Sequence, residues 1–310
     1  MGRYIVRRLL WVVVVVFFVG LITFVMEYAL PGDPARSIAG PHATPDTLAR
    51  ITKFYGFDKP IWTQYGIYMW HMIHGNLGYS YNSQLPVAQS ILERFPATIM
   101  IAVWGIFFEL VIGIPIGMIS ALRQYSVQDR AFTLFSLVGV AAPSFWLGML
   151  FIYAFCYQIH IFPNLGQYQG WSQPWYGILP GLVLGIGGAA WYSRMLRSSM
   201  LDILNADYVK AARAKGLPER IVIWRHIMRN AWSPIITLLG MDVGWFLGGV
   251  LIIEIVFGFP GIGSQAWNAI EAQDTPMIMG TVQFAALLVV ISNLVVDIAY
   301  TWLDPRVKYS

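Results

Sequence analysis

Long apolar runs alternate with shorter polar stretches along the whole 310-residue chain. The runs lie at about 9–30, 97–122, 131–160, 178–199, 234–257 and 279–303, and each holds 20 or more mostly apolar residues. A helix rising about 1.5 Å per residue needs roughly that many to cross a hydrocarbon core of about 30 Å. The pattern therefore predicts an all-α integral membrane protein with six transmembrane helices. Arg3, Arg7 and Arg8 precede the first run as they would in a signal peptide. That run is long for a signal h-region and no small-residue cleavage site follows it, so it reads as a retained anchor.

Between the first two runs, Thr44-Pro45-Asp46 supplies an N-cap, a first-turn proline and an acid, and Leu48, Ile51 and Tyr55 follow at helical spacing. A second helix is predicted over Ile61 to His74 and a third over Val87 to Arg94, with a turn at Gly75-Asn76-Leu77-Gly78. Together these read as a small helical layer on the outer face. The predicted organisation is an N-terminal end and first span (1–30), a helical extramembrane segment (31–96), a five-helix core (97–303) and a short tail (304–310).

One polar stretch stands apart. Asp207 to Asn230, DYVKAARAKGLPERIVIWRHIMRN, holds six Lys or Arg, two acids and one His, too many for a span. Asp207 suits a helix start and Lys215 its end. Gly216 suits the left-handed position beyond the end, and Pro218 the first turn of a second helix. Ala211, Ala212 and Ala214 would let another surface approach the backbone closely. On the second helix Ile221, Trp224 and Met228 are expected to share a face against lipid or the spans, leaving Arg220, Arg225 and Arg229 for headgroups or a partner. The residues alone allow either a docking element or an ordinary basic loop.

Composition sharpens this picture. Charged residues make up only 12% and aromatic residues 15%, which fits lipid as the main solvent. With the N-terminus inside, 15 of the 20 Lys and Arg fall in cytoplasmic segments, and 161–177 and 258–278 hold none. The distribution puts both termini inside. The net charge of +4 is spread unevenly along the chain and so says little about nucleic acid, and no nucleic-acid partner is expected. Cys156 is the single cysteine, which excludes an internal disulfide, and its apolar run suggests a buried small side chain. His71 and His74 share a helical spacing but lack a third ligand, while His42 and His160 stand alone, so no metal site is predicted. Without GxxxxGK[ST] the chain cannot cradle nucleotide phosphates. HExxH and a Gly-x-Ser-x-Gly elbow are missing too, so no catalytic residue is proposed. LGIGGAA reads as close helix packing and FGFPGIGS as a re-entrant turn.

The basic loop, LPGDP at 30–34, YGFDKPIWTQY with HGNLGYS and RFPATI between 55 and 99, EIVFGFPGIG with QDTPMIMGTV at 254–282, and the terminal DPRVKY together resemble ATP-binding-cassette importer permeases. The resemblance is to the dipeptide/oligopeptide branch, first permease subunit, and it spans essentially the whole chain. Lys210 stands where the wider superfamily has Glu, and Asn76 where relatives usually show Asp. The resemblance implies a type I importer permease fold, located in the cytoplasmic membrane of a prokaryote. It also implies a second homologous permease subunit, an extracytoplasmic substrate-binding protein and two ATPase subunits that bind ATP and Mg. The loop 205–230 would be the EAA coupling loop seated in an ATPase cleft, through Lys210, Ala211, Ala212, Arg213, Ala214, Lys215, Gly216, Arg220, His226 and Arg229. The cargo would be a peptide, with nickel, heme or glutathione as alternatives.

Glu27, Glu109, Asp242, Glu254 and Asp297 sit inside or at the ends of predicted spans, where acids are expensive and normally face the bundle interior. Glu109 reads either as a passage contact for a peptide's amino group or as an internal hydrogen-bonded group. Asp242 and Asp297 lie near the inner border with Arg194 and Arg197, as an ion-paired gate or a static pair. A rival reading is an ion-driven secondary carrier that uses Glu109 or Asp297 as its proton site.

Overall fold

The computed structural model describes residues 2–29, 34–39, 43–163, 166, 168–248 and 250–303. The side chains of Glu27 and Asp297, His42, most of the 30–34 motif and the segment 304–310 lie outside the described residues. Among the described residues every element is helical, and the one β feature is an isolated bridge between Tyr79 and Pro86.

Helix α1 (Gly2–Ala29) is followed by α2 (Pro34–Ala39), α3 (Pro45–Tyr55) and α4 (Ile61–Ile73). The signals read from the sequence are in place at α3: Thr44 Oγ1 accepts the Thr47 N–H at 3.3 Å, and Gly56 closes the helix at φ 74°. Helix α4 lies along the flank of α1. Tyr65 Oη donates to the Phe17 carbonyl at 2.8 Å, and the Tyr65 ring meets Phe17 and Phe24. Trp62, Trp70 and Ile73 remain on its open side.

The separate helix expected over 87–94 and the span after it form one element, α5 (Val87–Leu122), which continues through Pro96. Val87 and Ile91 are buried against Ile262 and Met277, so packing outweighs the N–H that Pro96 lacks. The run predicted as a single span at 131–160 is instead two helices, α6 (Val127–Ala141) and α7 (Ser144–Phe151), with π-helical backbone to Gln158. They meet at 102°. The cause is Pro143, which drives Ala142 to an extended ψ of 123°.

A 3-10 turn at Pro174–Gly177 leads into α8 (Ile178–Leu204), which forms the bundle's most extensive interface with α5. Glycines make this approach possible, as LGIGGAA suggested. A Cβ at Gly181 would sit 2.3 Å from Trp104 Cβ, one at Gly185 2.5 Å from Phe108 Cβ, and one at Gly113 2.8 Å from Tyr192 Cβ.

After α9 (Asp207–Ala214), the single turn α10 (Glu219–Ile221) passes through π-helical Val222–Ile227 directly into α11 (Met228–Leu247). The second helix expected in the basic loop is thus the start of the next core helix. The run predicted at 234–257 is split: α11 stops at Leu247 and α12 (Leu251–Val256) follows as a short separate helix. The chain ends in α13 (Ile262–Glu271) and α14 (Thr275–Leu303). Among the described residues, 87–122 and 275–295 are long and apolar enough to cross a membrane, and 127–158 makes a third if the bent pair is one span. Cys156 is buried, as its apolar setting suggested.

Candidate functional site

The basic loop is seated on the bundle and presents its charges outward. Val209 and Ala212 of α9 join Val222, Ile227 and Met228 in one apolar cluster with Leu196 and Met200 of α8. Lys210, Ala211, Arg213, Ala214, Lys215, Gly216, Arg220 and Arg229 are exposed, and His226 is half-buried. Ala212 differs from the expectation: it is 5% exposed and packs inside the chain's own core. The proposed face of Ile221, Trp224 and Met228 also breaks up, since Met228 is buried while Ile221 and Trp224 are exposed. The π-helical turns explain this, because with i→i+5 pairing Val222 and Ile227 come onto the buried side.

Gly216 has φ +72° and its N–H donates to the Arg213 carbonyl at 2.9 Å, the left-handed closure expected from the sequence. A Cβ there would meet nothing within 4 Å, so backbone conformation and not space is what favours glycine. Pro218 sits at the N-cap, one position ahead of the first turn. Across the turn Arg213 Nη2 donates to Glu219 Oε1 at 2.6 Å and Nε to Oε2 at 3.2 Å. This pair holds the Glu219 carboxyl below its ordinary value. Asn230 Nδ2 donates to Tyr208 Oη at 2.9 Å and ties α9 to α11.

Deeper in the bundle a cavity of about 310 Å³ opens between α5, α8, α11 and the α6–α7 corner, with Glu109 and Asp242 in its lining. Glu109 is 2% exposed. Its Oε2 has no hydrogen-bond partner. The carboxyl lies over Gly188, where a Cβ would fall 1.7 Å from Oε1. Asp242 Oδ2 accepts from Tyr192 Oη at 2.6 Å.

The gate imagined between Asp242 and the arginines of α8 is not formed. Arg197 turns to Asp129, donating from Nε to Oδ1 at 2.8 Å and from Nη2 to Oδ2 at 2.9 Å. Ser120 Oγ donates to the same Asp129 and accepts from Arg197 Nε at 3.1 Å. Arg194 stays exposed, its guanidinium 5.5 Å above the Trp191 ring. The backbone at Asp297 lies in α14, but its side chain is outside the described residues. The sequence reading did not single out Asp129, although its place three residues after the N-cap Ser126 marks it as a first-turn acid.

Glu254 is 0% exposed and fully engaged. Thr98 Oγ1 donates to its Oε1 at 2.8 Å, and the Ser264 N–H donates to its Oε2 at 2.7 Å. Thr98 Oγ1 also accepts the Ile262 N–H at 2.9 Å, so the two side chains together cap α13. The segment FGFPGIGS therefore closes around the buried Glu254 carboxyl at the start of α13. Asp274, also not singled out, accepts from Ser80 Oγ and from the N–H groups of Tyr81 at 3.1 Å and Met277 at 3.3 Å. Its signal was visible as Asp before Thr-Pro, an N-cap sequence. Among the described residues no group of three metal-ligating side chains occurs. The exposed His74 ring lies 4.3 Å from Trp70, centroid to centroid.

Residues 113–309 match the family described as binding-protein-dependent transport system inner membrane component, and residues 1–102 match its N-terminal counterpart. The chain is 34% identical over 333 residues to the dipeptide transport system permease protein DppB of Alkalihalophilus pseudofirmus, with 100% of both chains covered. It is 35% identical over 309 residues to the glutathione transport system permease protein GsiC of Escherichia coli, again over 100% of both. Two inward-facing structures of the MetNI methionine ABC transporter share the fold, with TM-scores of 0.54 and 0.57 at 15% and 16% identity. They cover 69% and 70% of this chain and 96% and 97% of theirs. The all-α, type I importer permease fold expected from the sequence is the one observed.

Proposed function

Because the chain belongs to the family of binding-protein-dependent transport system inner membrane components, we propose that this ABC importer permease subunit moves di- or oligopeptides inward across the cytoplasmic membrane. Six spans with both termini inside, a second homologous permease and an extracytoplasmic binding protein complete the arrangement. ATP and Mg are bound by two separate ATPase subunits, and this chain performs no chemistry. The cargoes named for the dipeptide and glutathione relatives are both short peptides, which supports the peptide class.

The observation that carries the coupling step is the seating of α9. Its inner side is anchored through Val209 and Ala212, while Lys210, Ala211, Arg213, Ala214 and Lys215 face outward. A short helix held rigidly on one side and bare on the other can transmit a push from an ATPase into α8 and α11. Bulk at Ala211 would block a close approach without disturbing the chain's own core. Gly216→Val would cost roughly 1 kcal/mol or more through its left-handed backbone. Ala211→Trp and Gly216→Val permeases should therefore insert and yet fail to retain the ATPase in pull-downs or to support cargo-stimulated ATP turnover. Normal assembly and turnover in both would reduce the stretch to a basic loop. Uptake that proceeds without ATP and stops with a protonophore would favour an ion-driven carrier.

A further inference from the structure

We propose that Glu109 and Asp242 form a site inside the bundle for the protonated amino group of the passing cargo. The inference deepens the transport reading and rests on it for the nature of the cargo. Two carboxylates line one cavity of about 310 Å³. Among the described residues neither pairs with a Lys or Arg. Glu109 is 98% buried in the sense that only 2% of its surface is exposed, and its Oε2 has no hydrogen-bond partner. Burying a carboxylate without a partner is costly, and a cation brought to it offsets that cost.

The two acids are held for this task in different ways. Gly188 leaves room for the Glu109 carboxyl to lie flat on α8, where any Cβ would collide with Oε1 at 1.7 Å. Tyr192 Oη donates to Asp242 Oδ2 at 2.6 Å and fixes that carboxylate at the cavity wall. The remaining wall includes Trp245, Phe246 and Leu184, which suit an apolar body beside a charged head and, at Trp245, a cation over a ring. The volume is at the lower end of the roughly 300–1,000 Å³ typical of ligand pockets. It suits one amino-terminal residue, not a whole oligopeptide. A divalent metal would want more ligands, and no third His, Cys, Asp or Glu joins the pair among the described residues.

The test uses the full-length chain in lipid nanodiscs and a hydrophobic carbodiimide, which modifies protonated carboxyls in apolar surroundings. Modification at Glu109 is read by peptide mass spectrometry. L-alanyl-L-alanine should slow labelling of Glu109 by on the order of tenfold, as expected when a buried charge pair forms. N-acetyl-L-alanyl-L-alanine and matched sodium chloride should not. Asp242→Asn should abolish the protection and Asp242→Glu should restore part of it. Equal protection by the acetylated dipeptide, protection by sodium alone, or no protection at all would overturn the amine site. Cargo-stimulated ATP turnover of the assembled complex is measured in parallel. Intact turnover without amine discrimination removes this inference alone, whereas discrimination without ATP coupling removes the transport reading alone.

Discussion

Glu254 and Glu109 are both glutamates in the bundle, exposed by 0% and 2%, and both rest on a glycine. A Cβ at Gly261 would sit 2.1 Å from Glu254 Oε1, and one at Gly188 would sit 1.7 Å from Glu109 Oε1. Their surroundings differ in kind. Glu254 accepts from Thr98 and from the backbone of Ser264, within a network that starts α13. Glu109 faces a cavity with a second acid across it and has an oxygen with no partner. Burial alone therefore does not separate an acid that builds the fold from one free to meet a ligand. Hydrogen-bond satisfaction does.

The largest effect expected from this contrast is at Glu254. Glu254→Ala strands the Thr98 hydroxyl and the Ser264 N–H in the interior, each worth about 1–3 kcal/mol. Together with the loosened start of α13, this should lower the thermal midpoint in detergent sharply and reduce monodisperse yield. Unchanged yield and midpoint would mean the network is incidental. Next comes Gly188→Ala, which forces the Glu109 carboxyl aside and should cost about 1–3 kcal/mol by overpacking. Combined with Glu109→Ala, the same change should become nearly neutral, because the atom it strikes is gone. Additive losses in this double-mutant cycle would break the assignment of Gly188 as the seat of Glu109.

Glu109→Gln should leave the unfolding free energy within roughly 0.5 kcal/mol of the parent, since Oε2 has no hydrogen bond to lose. A fall like that of Glu254→Ala would place the two acids in the same structural class. The smallest effect is expected at the loop surface. Arg213→Ala removes an exposed pair with Glu219 and should change stability by about 0.2–1 kcal/mol, less at high salt. A larger, salt-insensitive loss would show that the turn after α9 depends on that pair and not on Gly216.

Much of the loop was legible before any coordinates. Asp207, Gly216 and the alanines declared a short helix with a left-handed end, and Thr44-Pro45-Asp46 declared the start of α3. The break at Ala142–Pro143 was legible in principle, because proline restricts the residue before it, but the continuous apolarity from 131 to 160 masked it. The π-helical stretch at Val222–Ile227 was not legible, since nothing in its residue types separates i→i+5 from i→i+4 pairing, and it parted Met228, which is in the core, from Ile221 and Trp224, which are exposed. Arg197 was set beside Asp242, yet its observed partner is Asp129. Asp129 offers Arg197 two oxygens at a helix start, a better match than Asp242, which Tyr192 already holds.

Residue order alone thus settled the all-helical character, the transport-permease resemblance and the local turns, because caps, left-handed glycines and apolar periodicity act over four or five neighbouring positions. The fate of each buried acid was decided only by the tertiary packing. Thr98 reaches Glu254 across 156 positions, Arg197 reaches Asp129 across 68, and Tyr192 reaches Asp242 across 50. Such pairings depend on how closely helices approach, and that distance is set by glycines such as Gly181, Gly185 and Gly188 meeting specific side chains on a partner helix.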